Sequence, residues 1–180
     1  VDDNILISIV GTRSAISENE EISYDFAYEL SKSGVIIVSG GALGIDTMAH
    51  KGALDAGSKT VCVLGNGLDV NYPKENSSLR YDISQNGVLV SEYPPETPPL
   101  PRNFPIRNRI LSALSLGTLV IQAGKKSGAL ITANLAAEQN RDVFAIPGSI
   151  KDEQSVGSND LIKDGAKPVT CAMDIIEEYI

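Results

Sequence analysis

The chain has 180 residues, of which 42% are hydrophobic and 21% charged, a composition typical of a soluble globular domain. No apolar run approaches the ~20 residues of a membrane span and no secretion leader is evident, so we expect a cytoplasmic protein without membrane association. One histidine, His50, and two distant cysteines, Cys62 and Cys171, exclude a histidine triad and a metal site. We therefore expect two free, buried thiols and no metal or cofactor. Because the chain begins with Val1, we expect it to be a fragment of a longer protein.

The first half of the chain alternates apolar runs with segments of helical periodicity. The apolar runs predict strands over residues 4–10, 35–38, 60–64 and 88–91. Helices are predicted between them, over residues 17–33, 46–57 and 76–85. Ser17 and Glu20 have the spacing of a capping box at the start of the first helix, and Gly34 is its expected C-cap.

The second half begins with a proline-rich segment, in which six prolines fall within residues 93–105. Proline lacks the N–H that a central strand or helix needs, so we expect a stiff extended loop that holds Arg102, Asn103 and Phe104 in place. Further helices are predicted over residues 106–115, 129–139, 159–164 and 172–178. Two more strands are predicted over residues 116–123 and 141–146.

The strands are apolar throughout rather than alternating, which is typical of a parallel sheet covered on both faces. We therefore predict an α/β fold: an extended Rossmann-like domain over residues 1–180, with a mostly parallel sheet and helices on both faces. Right-handed crossovers place the C-terminal ends of the strands along one edge of the sheet. Ligands of open α/β sheets bind at that edge.

A glycine-rich turn follows the second strand in the run SGGALGID. The N-terminus of the next helix leaves backbone N–H groups unpaired and carries partial positive charge. Glycines without a Cβ allow a ligand to approach this backbone, so the turn predicts a phosphate or other anion site. The alternative is a tight turn without a ligand, with Asp46 as a helix-start or loop-fixing residue. The turn contributes Ser39, Gly40, Gly41 and Gly44.

Basic residues are concentrated in one part of the chain, although the net charge is −8. No acidic residue lies between Glu96 and Glu138, and five basic residues do: Arg102, Arg107, Arg109, Lys125 and Lys126. Arg13 follows the first strand, and Ser127 and Gly128 belong to a second glycine turn after the fifth. Phe104 beside Arg102 offers a platform on which an unpaired base can stack. Together these residues favour a single-stranded nucleic acid or a nucleotide as ligand.

Each of these residues also has a structural alternative. Arg13 could pair with an acid, and either Arg107 or Arg109 could form a structural ion pair. The two lysines could be merely solvated, and Phe104 could be a core plug for the proline-rich loop. His50 is interpreted as a structural rather than a catalytic residue.

Several runs together resemble the DNA-processing protein A (DprA/Smf) family. The runs are SGGALGIDTMAHKGAL, TVCVLGNGLDVNYPKEN, VSEYPPETPPLPRNFPIRNRILSALS, SGALITANLAAEQNRDVFAIPG and SVGSNDLIKDGA. The resemblance covers nearly the whole chain. It implies a Rossmann-like domain that binds single-stranded DNA without marked sequence preference, forms homodimers and loads the RecA recombinase during natural transformation. It implies a DNA-binding protein rather than an enzyme.

The resemblance also implies which residues contact DNA. Arg13 matches the arginine of the family's G-[ST]-R turn, and Arg102 and Phe104 match the basic residue and the stacking aromatic of its DNA pocket. The other matching positions are the phosphate-side loop Ser39, Gly40, Gly41 and Gly44, the RNR triplet Arg107, Asn108 and Arg109, and the second turn with Lys125, Ser127 and Gly128.

The sequence departs from the family pattern in two places. Acidic residues up to Glu20 follow Arg13 in place of the usual Thr-x-Tyr-Gly continuation, which is expected to weaken DNA affinity. Gln122 replaces a usual glutamate. Full-length members often carry small helical domains at either end, so we expect this chain to be the isolated central domain.

Two enzyme classes compete with the DNA-binding hypothesis. A LOG-type nucleotide N-glycosidase has a glutamate on the helix that the glycine turn begins, whereas this chain has no glutamate there before Asp55. A dinucleotide-dependent oxidoreductase would need the G-x-G-x-x-G fingerprint and an acid–base partner for His50, and the sequence has neither.

Overall fold

Seven strands form one sheet in the computed structural model, which describes residues 4–179. Every neighbouring pair is parallel, in the order β4-β3-β2-β1-β5-β6-β7, so the predicted α/β class is confirmed. The strands are β1 (Leu6–Val10), β2 (Ile36–Ser39), β3 (Thr60–Val63), β4 (Val88–Val90), β5 (Gly117–Val120), β6 (Asp142–Ala145) and β7 (Lys167–Pro168). The sequence did not predict β7, because two residues are too few for a periodic signal.

Within residues 4–179, seven α-helices connect or follow these strands. They are α1 (Ser17–Lys32), α2 (Ile45–Asp55), α3 (Ser77–Asn86), α4 (Asn103–Leu114), α5 (Gly128–Glu138), α6 (Val156–Lys163) and α7 (Met173–Ile176). Short 3-10 turns at Lys74–Asn76 and Glu153–Ser155 precede α3 and α6. No helix within the described residues is both long and apolar enough to cross a membrane.

The helix α4 begins three residues earlier than predicted. Asn103 and Phe104 therefore lie in its first turn, and the prediction that they belong to an extended loop was wrong. The physical reason is that Pro105 also falls in the first turn, where a backbone N–H would have no helical partner in any case.

The sheet buries apolar side chains on both faces. Ile7 and Ile9 of β1 pack with α1, α2 and α7 on one face. Val10 and Val120 pack with α4 and α5 on the other. Cys62 is buried as expected, but Cys171 is exposed, because it lies in the irregular segment before α7 rather than in the core.

The order of the strands creates a crevice between β1 and β5. From β1 the chain adds β2, β3 and β4 in one direction, and it then returns to place β5 on the opposite side of β1. The loops that follow β1 and β5 consequently diverge, which leaves an opening at the C-terminal edge of the sheet.

A stability prediction follows from the close contact between α1 and α2. A Cβ at Gly52 would overlap the carbonyl oxygen of Tyr24 and crowd Ala27. We expect Gly52→Ala to lower the free energy of unfolding by about 1–3 kcal/mol, measured by urea denaturation. Gly128→Ala is the control, because a Cβ there meets nothing within 4 Å, and we expect it to change stability by less than about 1 kcal/mol. Equal effects of the two substitutions would contradict the close packing of α1 and α2.

Candidate functional site

A groove of about 940 Å³ lies at the C-terminal edge of the sheet, at the crevice between β1 and β5. Its walls include the end of β1 and the residues after it (10–14), one side of α4, residues 124–129 around the start of α5, and the turn with Glu153 and Gln154. The acids that line it are Asp46 and Glu153. Among residues 4–179, no cluster of three or more His, Cys, Asp or Glu side chains could hold a metal ion.

The guanidinium of Arg107 is buried beside this groove, with 4% of the residue exposed. Its Nη1 donates to the carbonyl oxygens of Gly40, at 2.8 Å, and of Val63, and its Nε donates to Oδ1 of Asn108 at 3.2 Å. Burial lowers the pKa of Arg107, and the nearby carboxylate of Asp46 opposes that shift. Arg107 thus ties α4 to the ends of β2 and β3, and little of its guanidinium is left for a ligand.

The carboxylate of Asp46 binds part of the SGGALGID turn, in which the sequence predicts an anion site. Its Oδ2 accepts hydrogen bonds from the N–H groups of Gly40, at 3.2 Å, and Ala42, at 3.3 Å. Burial raises the pKa of Asp46, while Arg107 and the two N–H donors oppose that rise. Two backbone N–H donors of the turn after β2 are therefore taken by the chain's own carboxylate.

The remaining predicted residues of this turn have structural contacts. Ser39 is fully buried and donates its hydroxyl to the carbonyl oxygen of Ile9 at 2.7 Å. Gly41 and Gly44 have φ values of +68° and +76°, which favour glycine. A Cβ at Gly44 would also meet the carbonyl oxygen of Arg13 at 2.9 Å, so the loops after β1 and β2 pack closely there.

The turn after β5 is open toward the groove. Lys125, Lys126 and Gly128 are exposed, and none of the ion pairs in the described part of the chain involves either lysine. Ser127 is the N-cap of α5 and accepts a hydrogen bond from the N–H of Ala129 at 3.3 Å. Two cations at the positive end of an eleven-residue helix make this turn the more available anion site.

Phe104 lies at the centre of an aromatic and cationic cluster. The guanidinium carbon of Arg13 is 5.4 Å from its ring centroid and that of Arg107 is 5.8 Å from it. The ring of Tyr72 packs against it, with the centroids 5.8 Å apart and the planes tilted by 48°. Sequence reasoning missed Tyr72, since its loop carries no periodic or charge signal and only tertiary packing brings it to Phe104.

Two of the predicted basic residues do not line the groove. Arg109 forms an ion pair with Glu92 on the protein surface, which is the structural alternative considered for it. Arg102 is exposed at the N-cap of α4, and its side chain is outside the groove lining. The acids near Glu20 do not line the groove either. Seven of the predicted residues do line the groove: Arg13, Phe104, Arg107, Asn108, Lys125, Ser127 and Gly128.

Gln122 supports one wall of the groove. Its main-chain oxygen accepts from the N–H of Thr12 at 3.0 Å, and its Nε2 donates to the carboxylate of Asp152 at 3.1 Å. Hydrogen bonds from Ser155 and Gln154 lower the pKa of Asp152. A glutamate at this position would face that carboxylate, so the amide suits this chain.

His50 lies in the core beneath the site and has no exposed surface. Its Nδ1 is 2.8 Å from the hydroxyl of Thr60, which itself donates to the carbonyl oxygen of Ile37, so Nδ1 carries the proton. Burial, with a smaller contribution from Arg107, lowers the pKa of His50 to about 3. The residue is therefore a neutral structural histidine rather than an acid–base group.

The chain resembles known proteins in both sequence and structure. A model of the family described as DNA recombination-mediator protein A matches residues 1–180. The DNA processing protein DprA of Bacillus subtilis is 44% identical over 172 residues, covering 96% of this chain and 58% of that protein. The X-ray structure of DNA processing protein A from Streptococcus pneumoniae superposes with a TM-score of 0.94 at 44% identity, covering 98% of this chain and 62% of that one.

A third relative is DNA processing protein A from Helicobacter pylori, a protein with a single-stranded DNA binding mode. Its structure superposes with a TM-score of 0.89 at 34% identity, covering 98% of this chain and 80% of that one. The chain spans about three fifths of the length of the curated relatives from Bacillus subtilis and Streptococcus pneumoniae.

The buried histidine predicts how stability depends on pH. Because the pKa of His50 is about 3 when folded and 6.5 in the reference state, the unfolded chain binds more protons between these values. The contribution of His50 to the free energy of unfolding is therefore complete above pH 6.5, and it falls as the solution becomes more acidic. Between about pH 7.5 and about pH 5, we expect the free energy of unfolding to fall by about 2 kcal/mol because of His50.

The check is urea denaturation of the parent protein and of His50→Gln at both pH values. The comparison uses the change with pH in each protein, so any general destabilisation by the substitution cancels. An identical loss in both proteins would contradict a neutral, buried His50.

Proposed function

Because this chain belongs to the DNA recombination-mediator protein A family, which includes the DprA and Smf proteins, we propose that its groove binds single-stranded DNA without marked sequence preference. The observation that carries the proposal is the convergence of unpaired cations with an aromatic cluster in one groove. Arg13 and the two lysines after β5 are exposed on its walls, and Phe104 and Tyr72 line the same groove. This combination matches the phosphates and the unpaired bases of a single strand.

The cations account for attraction to the phosphates. Arg13, Lys125 and Lys126 belong to none of the ion pairs among residues 4–179, so a phosphate would not have to displace an internal partner. The positive end of α5 lies in the same wall. A net charge of −8 does not oppose binding here, because the local field of a cleft governs the approach of a polyanion.

The aromatic side chains account for the preference for a single strand. A base in a duplex is stacked on its neighbours and paired, whereas an unpaired base can leave the strand axis and stack on a protein ring. Stacking uses the π-face that every base has, so it discriminates little between sequences. The Helicobacter pylori relative, whose structure concerns single-stranded DNA binding, supports the same ligand class.

The wider role follows from family membership and is also a proposal. We propose that this chain acts in DNA processing during natural transformation, that it forms homodimers, and that it loads a RecA-type recombinase onto the strand it binds. Sedimentation would test the dimer. The rate of recombinase filament formation on single-stranded DNA, with and without this chain, would test the loading.

The competing N-glycosidase hypothesis lacks a suitable carboxylate. Such an enzyme needs an acid that is free to act on the ligand, and Asp46 is the acid in the first turn of the glycine-started helix. Its carboxylate is held by two backbone N–H groups and the residue is 7% exposed. The acid at the position that this hypothesis requires is therefore already engaged, which favours binding over hydrolysis.

The proposal predicts that Arg13→Ala weakens binding of a single strand of about 20 nucleotides by about 1–3 kcal/mol. The loss of one phosphate contact should also reduce the slope of log affinity against log salt by about 1. Fluorescence anisotropy at about 50 and about 200 mM salt measures both quantities.

Lys59→Ala is the matched control. It also removes one exposed positive charge, but Lys59 precedes β3 and so lies at the opposite edge of the sheet. Duplex DNA and AMP serve as competitors. If Arg13→Ala and Lys59→Ala weaken binding of the single strand equally, the binding site lies outside the groove. If AMP alone displaces the strand, the ligand is a nucleotide.

A further inference from the structure

The chain contains two Asn-Gly pairs, at residues 66–67 and 86–87. In such a pair the glycine has no Cβ, so its main-chain nitrogen can approach the amide carbon of the preceding asparagine side chain. The two pairs are chemically identical, but the structure places them in opposite environments. The first is buried, whereas the second lies at the junction of α3 and β4, where the asparagine is exposed.

Hydrogen bonds hold the first pair in place. Asn66 is 1% exposed, and its Nδ2 donates to the carbonyl oxygens of Gly67, at 2.9 Å, and Val70, at 2.8 Å. The main-chain nitrogen of Gly67 donates to the carbonyl oxygen of Thr97 at 2.9 Å. The side-chain amide and the glycine nitrogen of this pair are therefore both engaged.

The second pair is less restrained. Asn86 is the last residue of α3, it is exposed, and its Nδ2 donates to the carbonyl oxygen of Asp82 at 3.1 Å. Gly87 follows in an extended conformation, with φ −160° and ψ −145°. Its N–H has no acceptor among residues 4–179. The glycine nitrogen is therefore free beside an exposed amide.

The packing of the sheet requires the glycine of this second pair. A Cβ at Gly87 would come within 2.2 Å of the carbonyl oxygen of Thr60, at the start of β3. The next residue, Val88, pairs with Val61 as β4 begins. A larger residue at position 87, which would shield the asparagine, could be accommodated only if β4 moved away from β3.

From these contacts we propose that Asn86 is a site of spontaneous deamidation and isomerisation in the folded protein. Hydroxide removes the proton of the Gly87 N–H, and the nitrogen forms a bond to Cγ of Asn86. The bond between Cγ and Nδ2 breaks, and the amide nitrogen takes a proton from water and leaves as ammonia. Water then opens the resulting succinimide at either carbonyl and releases a proton, which gives an aspartate or an isoaspartate at position 86.

The two products affect the fold differently. Both add a negative charge to the surface groove between α2 and α3, which Asp55 and Asp82 also line. The isoaspartate in addition lengthens the main chain by one methylene group immediately before β4. That strand is the last in the sheet order and pairs with β3, so we expect its start to separate from Thr60. Modification of Asn86 therefore loosens this edge strand.

The first test compares the two pairs within one molecule. The folded protein is incubated at mildly alkaline pH and digested, and deamidation at each pair is followed by mass spectrometry. Labelling with an isoaspartyl methyltransferase detects the isoaspartate. We expect Asn86 to react at least about 10-fold faster than Asn66, because hydrogen bonds must break before Asn66 can react.

The same incubation in urea is the control for the role of the fold. Once the chain is unfolded, the two pairs have the same chemistry and we expect similar rates. Equal rates in the folded protein overturn the inference. So does an Asn86 that reacts in urea and stays intact in the folded protein.

The second test measures the consequence for β4. We expect the incubated parent protein to develop a fraction with a lower melting temperature, in proportion to its isoaspartate content. Asn86→Gln keeps the amide but does not form the five-membered ring readily, so it should not develop this fraction. Asn86→Asp carries the charge without the added methylene, so freshly prepared it should melt close to the parent protein. An isoaspartate-containing parent protein that melts like the fresh one contradicts the loosening of β4.

The inference is independent of the proposed DNA binding. Gly87 precedes β4 and so lies at the N-terminal ends of the strands, whereas the groove of the candidate site lies at their C-terminal ends. A parent protein that deamidates at Asn86 and does not bind single-stranded DNA would contradict the proposed function alone. One that binds DNA and keeps Asn86 intact would contradict this inference alone.

Discussion

The groove depends on one buried cation. The guanidinium of Arg107 joins α4 to the carbonyl ends of β2 and β3, and a Cβ at Gly40 would overlap it. A buried charge is costly unless it is hydrogen-bonded, and these carbonyls satisfy it only when α4 lies across the end of the sheet. The same helix carries Phe104, and the guanidinium of Arg13 lies over the ring of Phe104. The positions of Phe104 and Arg13 thus depend on the hydrogen bonds that Arg107 donates to the carbonyl oxygens of Gly40 and Val63.

The glycine turns after β2 and β5 differ in whether their polar groups have partners within the protein. The turn after β2 binds the carboxylate of Asp46, so two of its backbone donors stabilise the fold. The turn after β5 keeps its lysines exposed, and Asn108 of α4 donates to the carbonyl oxygen of Gly128 at 3.4 Å. The two turns look alike in the amino-acid sequence. The difference arises because one turn has an internal anion within reach and the other does not.

Charge placement leaves exposed cations in the groove of an acidic chain. The acids of α1 lie away from the groove, and Glu92 neutralises Arg109 outside it. Cations without such partners remain at the crevice between β1 and β5, where the strand order opens the sheet. The field that a ligand meets is set by these few groups, since charges farther than about 8–10 Å are screened at physiological salt.

The sequence by itself determined the α/β class, six of the seven strands and the edge of the sheet at which the glycine turns and basic residues meet. These features follow from local apolar periodicity and from the handedness of parallel connections, which are encoded over short stretches. The tertiary structure decided which charges are free. Arg107 and Arg109 stand two positions apart, yet one is buried among carbonyls and the other is paired on the surface. It also brought Tyr72 to Phe104 across 32 positions of sequence, because such contacts depend on packing between distant segments rather than on local pattern.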